Sequence, residues 1–118
     1  MLINLSNHPS QYWDKKQIEA SQSFGKLIDM PFPLIKPDAS DDELEDLSKE
    51  YVKNIVSLGN PKVITVHIMG EMTFTFMVVA KLKKLGIKCI ASTTERKTTY
   101  NDEGTKLSEF SFVKFREY

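Results

Sequence analysis

A single cysteine, Cys89, stands among the 118 residues, which excludes an internal disulfide and any zinc cluster built from several cysteines. It falls inside the apolar run 87–91, where the expected role is that of a small buried hydrophobe. No apolar stretch approaches the ~20 residues that span a bilayer. No signal-peptide pattern precedes the first apolar run, so a cytosolic protein with no membrane partner is expected. Charge of one sign is missing too: sixteen Lys and Arg balance sixteen Asp and Glu. Proteins that grip long nucleic acids usually carry a basic excess, because phosphate neutralisation supplies most of the non-specific affinity. A phosphate-bearing partner of this chain would be small and met by a local site. Neither GxGxxG nor GxxxxGK[ST] occurs, which argues against a conventional dinucleotide enzyme and a P-loop NTPase. His8 and His67, on separate strand regions, make only a weak metal signature, and no metal or cofactor is expected.

What the chain does have is strand and helix in alternation. Residues 1–5, 26–30, 63–69 and 87–91 are short apolar runs, and 63–69 is β-branched and nearly continuous, as in a strand covered on both faces. Between the first two runs, Ser10 can cap a helix over 10–24, with Trp13, Ala20 and Phe24 inward and Gly25 as its stop. Pro31-Phe32-Pro33 ends the second run. Ser40, followed by Asp41, Asp42 and Glu43, starts a second helix whose inward positions are Leu44, Leu47, Tyr51, Ile55 and Leu58, and Gly59-Asn60-Pro61 ends it. A third helix follows Gly70-Glu71 and runs through Leu85, burying Phe74, Met77, Val78, Leu82 and Leu85. Beyond Arg96 the pattern becomes alternating, with a turn at Asn101-Asp102-Glu103-Gly104, which predicts an antiparallel hairpin. The expected architecture is one α/β domain over 1–118: a Rossmann-like three-layer sandwich, its parallel core sheet in the order 2-1-3-4, with a C-terminal antiparallel hairpin.

Three polar patches each follow an apolar run: Ser6-Asn7-His8-Pro9-Ser10, Gly70-Glu71-Met72-Thr73 and Ser92-Thr93-Thr94-Glu95-Arg96. Open parallel sheets bind ligands beyond the carboxyl ends of their strands, where the strand order reverses. As strand-end loops, the three patches would therefore meet in one crevice, with His8 facing Glu71 across it. Gly70 permits a close backbone approach, and the helix after it offers unpaired amides, so an anion site is one reading and a simple strand-to-helix turn the other. His8 could move a proton or donate to a phosphate, or be merely exposed. His67, inside a strand, reads as a core or interface residue. Ser92, Thr93 and Thr94 offer hydroxyls, and Arg96 a planar fork suited to phosphate oxygens; the alternative is a solvated turn. Asp29 ends the second run, where a ribose-binding acid can sit, though the glycines that usually accompany one are absent.

Ile3-Asn4-Leu5-Ser6-Asn7-His8-Pro9, Met69-Gly70-Glu71-Met72-Thr73-Phe74-Thr75-Phe76 and Leu85-Gly86-Ile87 with Ser92-Thr93-Thr94-Glu95-Arg96 resemble small CRISPR-associated Rossmann-like proteins of type III systems. These proteins bind or degrade cyclic oligoadenylate, and ring nucleases are among them. The resemblance implies a homodimer whose two-fold axis matches a cyclic tetra-adenylate ring. It also implies cleavage without metal, in which a ribose 2′-hydroxyl attacks the adjacent phosphate. On that resemblance His8 is the proton-transfer group and Arg96 the phosphate clamp. Gly70, Glu71 and Thr73 would line the ligand, and Asn7, Ser92, Thr93 and Thr94 would add polar contacts. A protein that binds the same messenger without cutting it, and a structural subunit with no small ligand, are the competing expectations.

Overall fold

Leu2, Ile3, Asn4, Leu5 and Ser6 are all buried, and together they form β1 (Leu2–Ser6) at the heart of the sheet. The computed structural model describes residues 1–118. Parallel neighbours flank β1: β2 (Leu27–Pro31) on one side and β3 (Thr65–Met69) on the other. A long strand, β4 (Lys88–Tyr100), pairs parallel to β3 through its first residues. It then runs antiparallel to β5 (Lys106–Glu117) along nearly its whole length. The five-stranded order is β2-β1-β3-β4-β5, so the parallel core and antiparallel C-terminal pair follow the expected topology. The chain goes from β1 to β2 on one side and returns to the other side with β3, which puts the reversal of strand order between β1 and β3.

Two helices cover one face of the sheet. Ser40 caps α2 (Asp41–Val56) by accepting from the Glu43 amide at 3.1 Å, as its Ser-Asp-Asp-Glu start predicts. The other is α3 (Met72–Lys84), tied to α2 by a Lys81–Glu45 ion pair at 2.9 Å. Ile3, Leu5, Val66, Ile68 and Cys89 come from the strands to meet Ile55, Phe74, Val78 and Leu82 from these helices in an aliphatic core. Each such fully buried side chain stabilises the fold by about 1.5–3 kcal/mol. Burial pushes the Cys89 thiol up to about 11, in keeping with its expected role as a small hydrophobe. The opposite face carries α1 (Lys15–Ser21), over a smaller cluster of Leu2, Trp13 and Ile90 with Ile18, Phe24, Leu27 and Phe115 packed around it. The result is three layers, helix–sheet–helix.

Several expected boundaries move, each for a local reason. The helix expected over 10–24 is instead a 3-10 turn at Ser10–Tyr12, then α1, then a second 3-10 turn at Gln22–Phe24. Ser10 does not cap it, because its hydroxyl and amide are both engaged by Asp29. Asp14 is the cap, accepting from the Gln17 amide at 2.8 Å. The third strand begins at Thr65 rather than at 63, since Pro61–Val63 forms a 3-10 turn behind the Asn60 cap. α3 ends one residue early, and Leu85 and Leu58 lie exposed beyond their helices.

The largest correction concerns 92–96. Ser92, Thr93, Thr94, Glu95 and Arg96 are not a loop; they continue β4, opposite Phe115, Lys114, Phe112, Ser111 and Phe110 of β5. β-branched Thr93 and Thr94 suit a pleated strand, and β5 supplies the ladder partners that a strand end would lack. Val113 has no partner in this ladder. That bulge brings Phe115 and Phe112, three apart in sequence, onto one face of the ribbon, with Phe110 following in step.

Candidate functional site

Asp29, Asn4 and His67 occupy matched positions on β2, β1 and β3. Ser92 lies on β4, two residues beyond Ile90, the register partner of His67. Their side chains form one hydrogen-bonded row across four strands, on the face that carries α1. The Asn4 amide nitrogen donates to Asp29 Oδ1 at 2.8 Å and to the His8 carbonyl at 3.0 Å. Asn4 Oδ1 faces His67 Nδ1 at 2.9 Å, and His67 Nε2 faces Ser92 Oγ at 2.7 Å. Gln17, buried on α1, donates its amide to the same Ser92 oxygen at 3.0 Å.

Proton positions in this row follow from the identity of the end group. Burial raises the Asp29 carboxyl, but hydrogen bonds from the Ser10 side chain, Asn4 and the Ser10 backbone outweigh it and hold it below its ordinary value. An ionised carboxylate only accepts, so Asn4 must turn its NH₂ to Asp29 and its carbonyl to His67. Both contacts of the NH₂ are acceptors, which agrees. His67 Nδ1 therefore carries the proton. Burial, with a smaller contribution from nearby His8, pushes His67 down to about 4, so its ring is neutral near pH 7 and Nε2 holds a lone pair. Ser92 accordingly donates its hydroxyl proton to Nε2.

Above the row opens a cavity of about 600 Å³, floored by Ser6, His67 and Ser92 and walled by Tyr12, Phe110 and Phe112. Asn7, His8, Gly70 and Thr94 also line it, so the ends of β1 and β3 and the middle of β4 do converge on one place. Trp13, between the Ser10–Tyr12 turn and α1, packs behind the floor, its ring 5.3 Å from that of His67 and its indole N–H donating to the His8 carbonyl at 3.0 Å. The mixture of ring faces and a few fixed polar groups is the usual make-up of a small-ligand site.

Four expected site residues lie elsewhere. Glu71 does not face His8 across the crevice; it folds back as the cap of α3, accepting from the Phe74 amide at 2.8 Å and the Thr73 amide at 3.1 Å. The Thr73 hydroxyl and the Phe74 amide hold the Glu71 carboxyl below its ordinary value. The expected anion site at this helix start is thus filled by the chain's own carboxylate, with Thr73 bound to it. Glu71 shares only a smaller cavity of about 330 Å³ with Asn7 and the 32–35 segment. Thr93 accepts from the Lys114 amide and donates to the Lys114 carbonyl, in the ladder. Arg96 lies further out on the ribbon, donating to Ser108 at 3.1 Å and stacking 6.0 Å from the Phe110 ring. Gly70 has a packing reason of its own: a methyl there would overlap the ring of Phe32.

No group of three or more His, Cys, Asp or Glu side chains comes together as a metal site, and no helix is long and apolar enough to cross a membrane. Asn4, Gln17 and His67, the residues that organise the floor, were not among the expected site residues. The signal for two of them was alternation: Asn4 and Ser6 interrupt Leu2, Ile3 and Leu5, and Thr65 and His67 interrupt Val66 and Ile68. The chain matches one protein family over residues 1–116. It belongs to the uncharacterized protein MJ1673 family. No curated protein matches it. The match takes in β1 to β4 and β5 up to Arg116, and so includes the residues of the polar row and of the cavity lining.

Proposed function

We propose that this chain binds a cyclic oligoadenylate in the strand-end cavity and opens it without a metal, by attack of a ribose 2′-hydroxyl on the adjacent phosphate. One observation supports the reading above the others: aromatic rings of Tyr12, Phe110 and Phe112 and the polar side chains of Asn7, His8, Ser92 and Thr94 line one cavity at the reversal of strand order. Ring faces suit adenine, and hydroxyl, amide and imidazole groups suit ribose and phosphate. A cavity of about 600 Å³ is smaller than a ring of four nucleotides. The ring would therefore be shared by two copies of the chain about a two-fold axis, each holding half. His8, exposed at the mouth, takes the proton of the attacking 2′-hydroxyl and returns it to the departing 5′-oxygen, and Arg96, outside the lining on the ribbon beside Phe110, meets a phosphate that extends beyond the cavity. By ending a type III antiviral signal, such a reaction would make this a CRISPR-associated ring nuclease.

A non-hydrolysing binder of the same messenger is the second reading. It is favoured by the absence of any Lys or Arg from the cavity lining, which leaves little positive charge for a transition state. Incubation with cyclic tetra-adenylate in the presence of chelator separates them. Linear products ending in 2′,3′-cyclic phosphate, with slower cleavage but similar binding in His8→Ala, support the nuclease. An intact ring together with a raised melting temperature supports the binder. Neither cleavage nor stabilisation would end both.

A further inference from the structure

We propose that Ser92 is an activated hydroxyl, with His67 as its base and Asn4 and Asp29 as the groups that position the imidazole, making the cavity floor a nucleophile–base pair toward phosphorus esters. The inference goes beyond the oligoadenylate reading and does not rest on it. In that reaction the nucleophile is the ligand's own ribose hydroxyl, whereas the Ser92 pair is a second reactive centre that also takes simple esters lacking one.

Three groups within hydrogen-bond reach, a hydroxyl, an imidazole and an orienting side chain, define a nucleophilic serine by geometry and not by sequence position. Here the distances are 2.7 Å from Ser92 Oγ to His67 Nε2 and 2.9 Å from His67 Nδ1 to Asn4 Oδ1. An asparagine orienter carries a hazard: if its NH₂ faced the ring it would select the wrong tautomer and leave no lone pair for the hydroxyl. Asp29 removes the hazard, because its carboxylate claims the Asn4 NH₂ at 2.8 Å. Gln17 donates into Ser92 Oγ, so one lone pair of that oxygen is used and one is left on a residue that lines the cavity. Two further cavity hydroxyls serve as internal comparisons. Ser6 donates to Asn4 Oδ1 and has no base, and Thr94 makes no side-chain hydrogen bond to an imidazole.

The step balances as follows. As Ser92 Oγ bonds to phosphorus, its proton moves to His67 Nε2. The bond from phosphorus to the leaving oxygen breaks, and that oxygen takes the proton back from His67. With a fluorophosphonate the leaving group is fluoride, and His67 returns its proton to solvent.

Labelling of the full chain by a fluorophosphonate probe, mapped by peptide mass spectrometry, tests the proposal. The expected result is one adduct, on Ser92, formed at least tenfold faster than any on Ser6 or Thr94. It should vanish in Ser92→Ala and slow at least tenfold in His67→Gln. Because His67 is buried and its variant could unfold, a second pair is included: Asn4→Leu should lose labelling, and Asp29→Ala, which removes the carboxylate that fixes the Asn4 amide but leaves Asn4 and His67 in place, should slow it. Circular dichroism on each variant separates lost folding from lost reactivity. A folded wild-type chain unlabelled at Ser92, or labelled equally fast when His67 or Asn4 is replaced, overturns the proposal. A chain that labels at Ser92 yet ignores cyclic tetra-adenylate supports it while removing the oligoadenylate reading. A chain that cuts the ring but leaves Ser92 unlabelled does the reverse.

Discussion

Val66 and His67 are neighbours in β3, yet the two faces they enter have little in common. Val66 joins Ile3, Leu5, Ile68 and Phe74 in a core without a charged group, under α2 and α3. His67 enters a row of Asp29, Asn4 and Ser92, covered by Trp13 from the turn before α1, Gln17 from α1 and Phe115 from β5. Dispersion and the hydrophobic effect act on the first face without direction, so many aliphatic combinations would serve it. On the second face each group has a specific partner, and removing one leaves another buried and unpaired. The two faces of the sheet are therefore built differently: one buries an aliphatic core, and the other a row of mutually paired polar groups.

The comparison can be broken most forcefully on the dry side. Phe74→Ala removes a fully buried ring in edge contact with Phe32 and Tyr51, and should cost about 3–5 kcal/mol in urea unfolding. A loss below about 1 kcal/mol would mean that stability is not concentrated there.

On the polar side the next largest effect should come from pH. His67 is neutral in the folded protein down to about 4, whereas an unfolded chain protonates it below 6.5. Between those values the unfolded state binds more protons, so stability falls as pH falls, by about 3 kcal/mol in all. Above 6.5 the group contributes no slope. His67→Gln should flatten this part of the profile, and the difference between the two proteins isolates the histidine from the carboxylates. Parallel profiles would show that His67 is not held neutral.

Gly70→Ala should follow, costing about 1–3 kcal/mol because the Phe32 ring must move out of its contact with Phe74. Its thermal melt should recover when Phe32→Leu is added, if the overlap is the cause. Ser92→Ala should cost about 1–2 kcal/mol, since His67 Nε2 and the Gln17 amide both lose their partner. The smallest effect on folding is expected at Arg96→Ala, within about 0.5 kcal/mol, as its contacts are at an exposed part of the ribbon. If that variant nevertheless weakens cyclic tetra-adenylate binding more than tenfold, the ribbon is part of the ligand site.

Much of this architecture is legible in the residues. Ser40 with its acidic first turn, the four apolar runs and the Asn101–Gly104 turn each signal locally what they form, and chain order with right-handed crossovers then leaves few topologies. What escapes is what depends on distant partners. Ser10 looks like a cap until Asp29, brought beside it by β1–β2 pairing, engages both its hydroxyl and its amide. Glu71 looks free until it is seen that only its own side chain reaches the Thr73 and Phe74 amides. Ser92 looks like loop because polarity outweighs the β-branching of Thr93 and Thr94, and because the partner strand begins fourteen residues later, at Lys106. His67 is legible as buried, but not as the middle of a hydrogen-bonded row, since its two partners lie 63 and 25 residues away.

The unpaired Val113 has a consequence for how such a cavity changes over time. Side chains along a strand repeat every two residues, so one surplus residue reverses the phase of everything on its far side. Deleting Val113 would leave Phe115, Phe112 and Phe110 on one face of a regular ladder, whereas losing Ser111 from the regular stretch would keep Phe115 against Trp13 and Phe112 in place while turning Phe110 outward. The place of a single lost codon thus decides whether an aromatic wall of the cavity is kept or exchanged, with the hydroxyl, imidazole and amide beneath left in register.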